Sequence, residues 1–210
     1  MDTKALFQLS YGLYVISASA EGKESGCVAN TLAQVTSSPA QLSVALNKNN
    51  FTTELIEKSG RFAAVVLSKD TDMGLIANFG FRSGRDADKF AEAEHRTDGA
   101  GVKYPTAGAS AVFSCKVNRT VDLGTHLLFV ADLEDCEILG SAEPMTYAYY
   151  HQVKKGTTPK NAPSYQEEKP KKHGFRCTVC GYFLEADTLP ADYKCPICGV
   201  GADKFVEVNE

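Results

Sequence analysis

The chain has 210 residues, room for one domain plus an appendage, with 43% hydrophobic and 23% charged residues. A net charge of −4 argues against nucleic acid as the main partner, because phosphate binding rests on a basic surface. No run approaches the ~20 consecutive apolar residues of a membrane helix, and the N-terminal MDTKALFQLSYGLYVISASA lacks the long apolar block of a signal peptide, so the expectation is a cytoplasmic protein with no membrane partner.

Short β-rich runs dominate the first 153 residues, at 12–19, 26–35, 41–46, 61–67, 111–121 and 126–139. Between them, Asn50 or Thr52 can cap a helix carrying Leu55 and Ile56 and stopped by Gly60. Asp70 or Asp72 can cap a second helix over 73–78, closed by Gly80. A third is predicted over 86–94. Ala111, Phe113, Cys115 and Val117 alternate along one face of a half-buried strand. A final helix is predicted over 145–153, its Tyr147, Tyr149 and Tyr150 read as packing residues. Six strands with few helices between them predict a mainly β fold, a closed or partly open antiparallel barrel.

Composition changes at residue 154. The segment 154–173, KKGTTPKNAPSYQEEKPKKH, has three prolines and many charges, and it reads as a flexible linker that cannot bury a core. Its 20 residues give a reach of roughly 25 Å and at most ~70 Å. It separates a body, residues 1–153, from a C-terminal module, residues 174–210.

That module carries four of the seven cysteines in two C-x-x-C pairs, Cys177/Cys180 and Cys195/Cys198, with fourteen residues between the pairs. Two such turns bring four thiolates together in a tetrahedral sulfur site for zinc or iron. The other three, Cys27, Cys115 and Cys136, are scattered through strand-like sequence, a usage that fits a reducing compartment. Tyr182, Tyr193 and Phe205 supply a small apolar surround for the metal. The pattern C-x-x-C-G-Y, L-P-x-D-Y-x-C-P-x-C-G and K-x-F resembles rubredoxin over 174–208, and that resemblance implies iron. The stretch between the knuckles is short, as in the iron module of rubrerythrins, and Tyr193 stands where rubredoxins usually have tryptophan.

The body has no G-x-G-x-x-G after a strand, since Gly99-Ala-Gly101 lacks the third glycine, so a Rossmann domain is not expected. Gly12-Leu-Tyr-Val-Ile, Gly26-Cys-Val-Ala-Asn30-Thr31, Val35-Thr36-Ser-Ser-Pro39, Asn47-Lys48-Asn49-Asn50, Ser83-Gly84-Arg85-Asp86 and Gly124-Thr125-His126 follow in order along it. Together they resemble the flavin reductase family, whose fold is a split β-barrel that binds FMN, usually as a homodimer. The resemblance implies that Asn30 and Thr31, with Gln34, Val35, Thr36 and Ser37, line the flavin ring and ribityl chain. It also implies that Lys48, Asn49, Asn50 and Thr52 take the phosphate end, where helix N-terminal amides suit an anion. Read alone, Asn49-Asn50 is equally a turn and helix cap. Ser83, Arg85 and Lys89 form a basic loop able to hold phosphates of FMN or a nicotinamide nucleotide, or else a solvated helix start. His126 is a strand end, or a group beside the isoalloxazine or nicotinamide.

The joined halves resemble the high molecular weight rubredoxin family, a flavin reductase-like domain fused to rubredoxin. That resemblance implies hydride transfer from NADH or NADPH to FMN, with no protein acid or base required, and then single electrons to an Fe(Cys)4 centre. The implied acceptor is a soluble flavo-diiron protein reducing O2 or nitric oxide. The competing reading is a flavin reductase whose cysteine tail is a zinc ribbon used for docking.

Overall fold

The computed structural model describes residues 3–158, 162, 164, 165 and 173–208. In chain order the elements are β1 (Tyr14–Ala20), β2 (Lys23–Ala29), β3 (Ala33–Ser37), β4 (Ala40–Asn47), α1 (Phe51–Ser59), β5 (Arg61–Leu67) and α2 (Met73–Phe81). Then come β6 (His95–Thr97), β7 (Lys103–Pro105), β8 (Ala109–Asp122), β9 (His126–Ile138) and α3 (Tyr147–Gln152). The C-terminal module holds β10 (Gly174–Cys177), β11 (Phe183–Leu184) and β12 (Phe205–Val208).

Seven antiparallel strands form one sheet in the order β2-β1-β5-β8-β9-β4-β3, leaving β2 and β3 as its edges. Register shifts in the β5–β8 and β8–β9 ladders mark the bulges that bend and twist such a sheet. Side chains of β1 and β5 alternate between two cores. Ile16, Phe62 and Ala64 join Leu55 and Ile56 of α1, with Val44, Leu46 and Phe129, on one face. Val15, Ala63, Val65 and Leu67 join Ile76 and Phe79 of α2, with Met145 and Tyr150, on the other. Both faces of these central strands are therefore covered, which explains why 61–67 reads as a nearly unbroken apolar run.

The caps follow the sequence. Asn50 is the N-cap of α1, and Gly60 ends the helix in the left-handed region, its N–H donating to Ile56 O. The Asp72 carboxylate accepts from Gly74 N–H at the start of α2. That helix runs through Gly80 to Phe81, one residue past the expected glycine stop. Thr146, one residue into the predicted span, caps α3.

Three expectations change. The run 26–35 divides into β2 and β3, because the chain turns at 30–32, where the Thr31 hydroxyl donates to Ala45 O across the turn. No helix forms over 86–94. Ser83 Oγ accepts from Arg85 N–H and Asp88 Oδ1 from Phe90 N–H, local bonds that compete with a helical ladder, while Lys89 and Phe90 are drawn inward. The β6–β7 hairpin arises in a stretch that carries no alternation long enough to predict it.

In the C-terminal module β10 lies between β11 and β12. Each C-x-x-C pair is followed by a glycine of positive φ, Gly181 at 79° and Gly199 at 74°, a conformation open to glycine without a Cβ penalty.

Candidate functional site

The two glycine-closed turns are near copies. Gly181 N–H donates to Cys177 O and Gly199 N–H to Cys195 O, each at 2.9 Å. Cys177 N–H donates to Tyr182 O and Cys195 N–H to Val200 O, each at 2.8 Å. Their four sulfurs lie within 4.8 Å of one another, with Cys177–Cys198 at 3.6 Å and Cys180–Cys195 at 3.5 Å. A tetrahedral site with bonds of ~2.3 Å has edges of about 3.8 Å, so the set fits one metal ion with slight expansion. Burial raises the Cys177 thiol, but the amide N–H groups of Cys180 and Val179 and the neighbouring thiols outweigh it and leave its pKa below the ordinary value. Amides aimed at a sulfur stabilise thiolate and tune the potential of a bound iron. Tyr182 and Phe205 pack on the cysteine cluster, and Tyr193 meets Phe205 edge-to-face at 5.4 Å, so all three predicted aromatics surround the centre.

On the barrel, the predicted phosphate-end residues fall into two neighbouring groups. Around the N-terminus of α1, the side chains of Asn50 and Thr52 both reach the buried Cys27 thiol, and Thr52 lies 3.5 Å from Ser25 Oγ. The loop of Ser83 and Arg85 closes over the same place. Arg85 stacks over the Phe51 ring at 4.9 Å and pairs with Glu54 at 2.8 Å. A Cβ on Gly84 would sit 2.0 Å from Ser25 Oγ, which shows how closely loop and β2 approach. Beside this, His126 faces Asn47 across the β4–β9 ladder, Asn49 N–H donates to Asn47 Oδ1, and Lys48 pairs with Asp122 at 2.6 Å. The Nδ1 of His126 meets Thr125 Oγ1 at 2.8 Å, while its Nε2 is buried without a hydrogen-bond partner among the described residues.

The predicted ring-side residues sit on the β2–β3 turn and the edge strand. Asn30 is buried, and its amide donates to Ser164 Oγ at 2.7 Å. Gln34, Val35, Thr36 and Ser37 are all exposed along β3, where Thr36 Oγ1 donates to Pro39 O. A helix start, hydroxyls, an Arg and an orphan ring nitrogen are the donors that an anionic flavin phosphate and a polar ring edge need, and the residues fit FMN.

Lys89 is a correction. It does not join Ser83 and Arg85 in an exposed basic loop. Its side chain is buried, and the ammonium donates to Gly26 O at 2.7 Å and Phe79 O at 3.0 Å. Phe79 lies in the last turn of α2, whose carbonyls have no helical partner, so the lysine satisfies a helix C-terminus rather than a phosphate. Burial holds its pKa down to about 8, with Cys27 opposing the shift.

Three residues that touch the cysteine module from the barrel side escape sequence reasoning. Thr157, in the segment predicted as a linker, donates its hydroxyl to Cys180 O at 2.6 Å. Met73 and Phe81 of α2 pack against the cysteine cluster. Thr157 thus engages both domains, through Tyr150 and Cys180, and no periodicity in a Pro/Lys-rich segment signals it.

The family model for the flavin reductase like domain matches residues 6–158. The chain belongs to the flavin reductase-like family. The model for the rubrerythrin, rubredoxin-like domain matches residues 175–206. The chain is similar to the high molecular weight rubredoxin of Moorella thermoacetica, with 42% identity over 99% of this chain and 100% of that protein. It is also similar to the ferric-chelate reductase (NAD(P)H) of Archaeoglobus fulgidus, with 44% identity over 80% of this chain and 100% of that one. Among solved structures, the nitrilotriacetate monooxygenase component B homologue of Mycobacterium thermoresistibile superposes with a TM-score of 0.60 at 25% identity, covering 67% of this chain and 75% of that one. The protein is an NAD(P)H oxidoreductase in which an FMN-type flavin domain and a four-cysteine iron module share one chain. No helix among the described residues is long and apolar enough to cross a membrane.

Proposed function

We propose that the chain is a cytoplasmic homodimeric electron carrier that takes hydride from NADH or NADPH and delivers single electrons to a soluble flavo-diiron protein reducing O2 or nitric oxide. The division of labour is 1–153 for flavin, 154–173 as linker and 174–210 for iron. The observation that carries this reading is the tetrahedral cysteine set lying against a flavin reductase-type barrel in the same chain. A bound flavin accepts two electrons as hydride and releases them singly, which is the conversion a one-electron iron centre needs.

The chain's own groups set the conditions. Arg85, Ser83 and the α1 start with Asn50 and Thr52 hold the phosphate, fixing the ring by its far end. Asn30 and Thr31, with exposed β3, present the ring side. The His126 Nε2 has one hydrogen bond to give or accept there. Position and stacking of the two rings suffice for hydride transfer. The fully exposed edge strand β3, with Val35 uncovered, supports pairing of two copies along that edge.

An anaerobic visible spectrum tests the proposal. Flavin bands together with iron–thiolate charge-transfer bands, both bleached by NADH, are expected. Flavin without iron bands would favour the zinc-tail reading, and a colourless protein would sink both. Reoxidation of the bleached protein by a purified flavo-diiron protein, several-fold faster than by O2 alone, is expected for the acceptor assigned here.

A further inference from the structure

The two cysteine knuckles share one geometry and differ in exposure. Their paired hydrogen bonds agree in length, and their glycines agree in φ to within a few degrees. Turns so alike leave the second cysteine of each about equally near solvent in a free module. Here Cys180 is 2% exposed, whereas Cys198 is partly open. The barrel lies on the first side. Thr157 donates to the Cys180 carbonyl, and Thr157 is itself held by the buried Tyr150, whose hydroxyl donates to Thr157 O at 3.1 Å and accepts from Thr157 N–H at 3.2 Å. Tyr150 belongs to the barrel core. Met73 and Phe81, at the two ends of α2, pack against the buried cluster of Cys177, Cys180, Cys195 and Ile197, while Ile76 and Phe79 of the same helix enter that barrel core. One helix thus touches both domains.

We infer that this face of the barrel is the electron-donor dock of the iron module: electrons enter the centre through the Cys180 knuckle and leave through the open Cys198 knuckle to the external acceptor. The inference rests on the flavin-to-iron reading above. Each entry oxidises the reduced flavin by one electron and reduces ferric to ferrous iron. Each exit returns the iron to ferric and reduces the acceptor by one electron. Two rounds discharge one hydride equivalent, with the flavin's protons passing to solvent. Separate edges let the acceptor approach without displacing the donor. Thr157, Met73 and Phe81 are positioning residues, since none of them touches the metal.

The test uses the full chain loaded with iron and FMN and reads two quantities. Amide hydrogen exchange compares residues 179–182 with 197–200, positions that carry an amide in both turns, so the second knuckle serves as an internal reference. The first knuckle is expected to exchange about tenfold or more slowly than the second. Thr157→Val and the pair Met73→Glu/Phe81→Glu are expected to raise the first knuckle to the rate of the second, with the iron–thiolate absorption unchanged. In rapid mixing with NADH the same variants should bleach flavin at the parent rate and iron at least tenfold more slowly. Equal exchange at both knuckles in the parent chain overturns the dock, as does a variant that opens the first knuckle without slowing iron bleaching. Where the α2 pair fails to fold, Thr157→Val alone decides. If NADH bleaches no flavin even in the parent chain, the electron reading has failed, and the exchange comparison still decides whether the module docks.

Discussion

Lys89→Met isolates a buried cation that the sequence places on the surface. The ammonium bridges β2 and the end of α2 through Gly26 O and Phe79 O, and methionine keeps most of the volume while removing both donors. At neutral pH two opposed effects meet: each lost charge-assisted bond costs about 1.5–3 kcal/mol, against which the variant no longer buries a charge. The pH dependence separates them. In the folded chain the lysine titrates at about 8 and in the unfolded chain near 10.5, so between these values the unfolded state binds more protons and stability rises with pH. The group's contribution is complete above the unfolded value and lost as pH falls through the folded one. From pH 7 to about 9.5 the parent chain should therefore gain about 2 kcal/mol relative to Lys89→Met. Urea unfolding followed by far-UV circular dichroism at both pH values measures it, and subtracting the variant cancels every other titration. A stability difference that stays flat or shrinks with rising pH would refute the burial argument.

Arg85→Ala should weaken FMN binding by about tenfold or more, because a charge-assisted phosphate contact is lost and Glu54 is left facing the anion. Thermal stability should hardly move, since the Arg85–Glu54 pair is exposed; flavin fluorescence titration and a melting scan check the two halves. Gly84→Ala places a Cβ 2.0 Å from Ser25 Oγ and 2.8 Å from Ser25 Cβ, so the 83–85 loop must lift from β2, at a cost of about 1–3 kcal/mol and with weaker flavin retention on gel filtration. Stripping the metal with a strong chelator should collapse the slow-exchanging amides of β10–β12 while the barrel's melting holds, because the cysteines and Ile197 are the module's buried core. A barrel transition that falls with the metal would show that the two domains unfold as one.

Short-range patterns carried most of the fold. Alternation placed Phe113, Cys115 and Val117 on the first core and left Val112 to the second, and side-chain chemistry placed the Asp72 and Gly60 caps. The C-x-x-C-G repeats fixed the metal set because four ligands and two turns occupy one local stretch. Where long-range packing decides, the sequence is silent. Lys89 looks solvated beside Arg85 and Asp86, yet it is drawn inward by carbonyls of β2 and α2 that are 63 and 10 residues away. Asp86 looks like a helix cap, but turn bonds from Ser83 and Asp88 and the burial of Phe90 win. The contact of α2 with the cysteines is invisible for the same reason: Met73 and Phe81 read as ordinary members of an amphipathic helix until a second domain is laid on them.

The docked arrangement and a tethered carrier are compatible because the contact is small and the tether short. Ser164 is held by Asn30, and the module begins at Gly174, so the nine residue steps from Tyr165 to Gly174 can span at most about 32 Å. A tether of that length holds the module near the barrel at an effective concentration on the order of 1 mM. A contact with an intrinsic dissociation constant of about 0.1 mM, roughly 5.5 kcal/mol, is then populated about nine-tenths of the time, enough for about tenfold protection of the docked knuckle. Two apolar side chains and one hydrogen bond to Cys180 O supply an interaction of that modest size. The module can be docked often enough to be reduced and released often enough to turn. A more extensive interface would hold Cys180 against the barrel without covering the Cys198 edge through which electrons leave. Tightening the contact, for example with Met73→Phe, should therefore leave iron reduction by NADH unchanged or faster. If the acceptor needs only the open knuckle, its reoxidation of the iron should be unaffected, and a matching loss in that rate would instead show that delivery requires release.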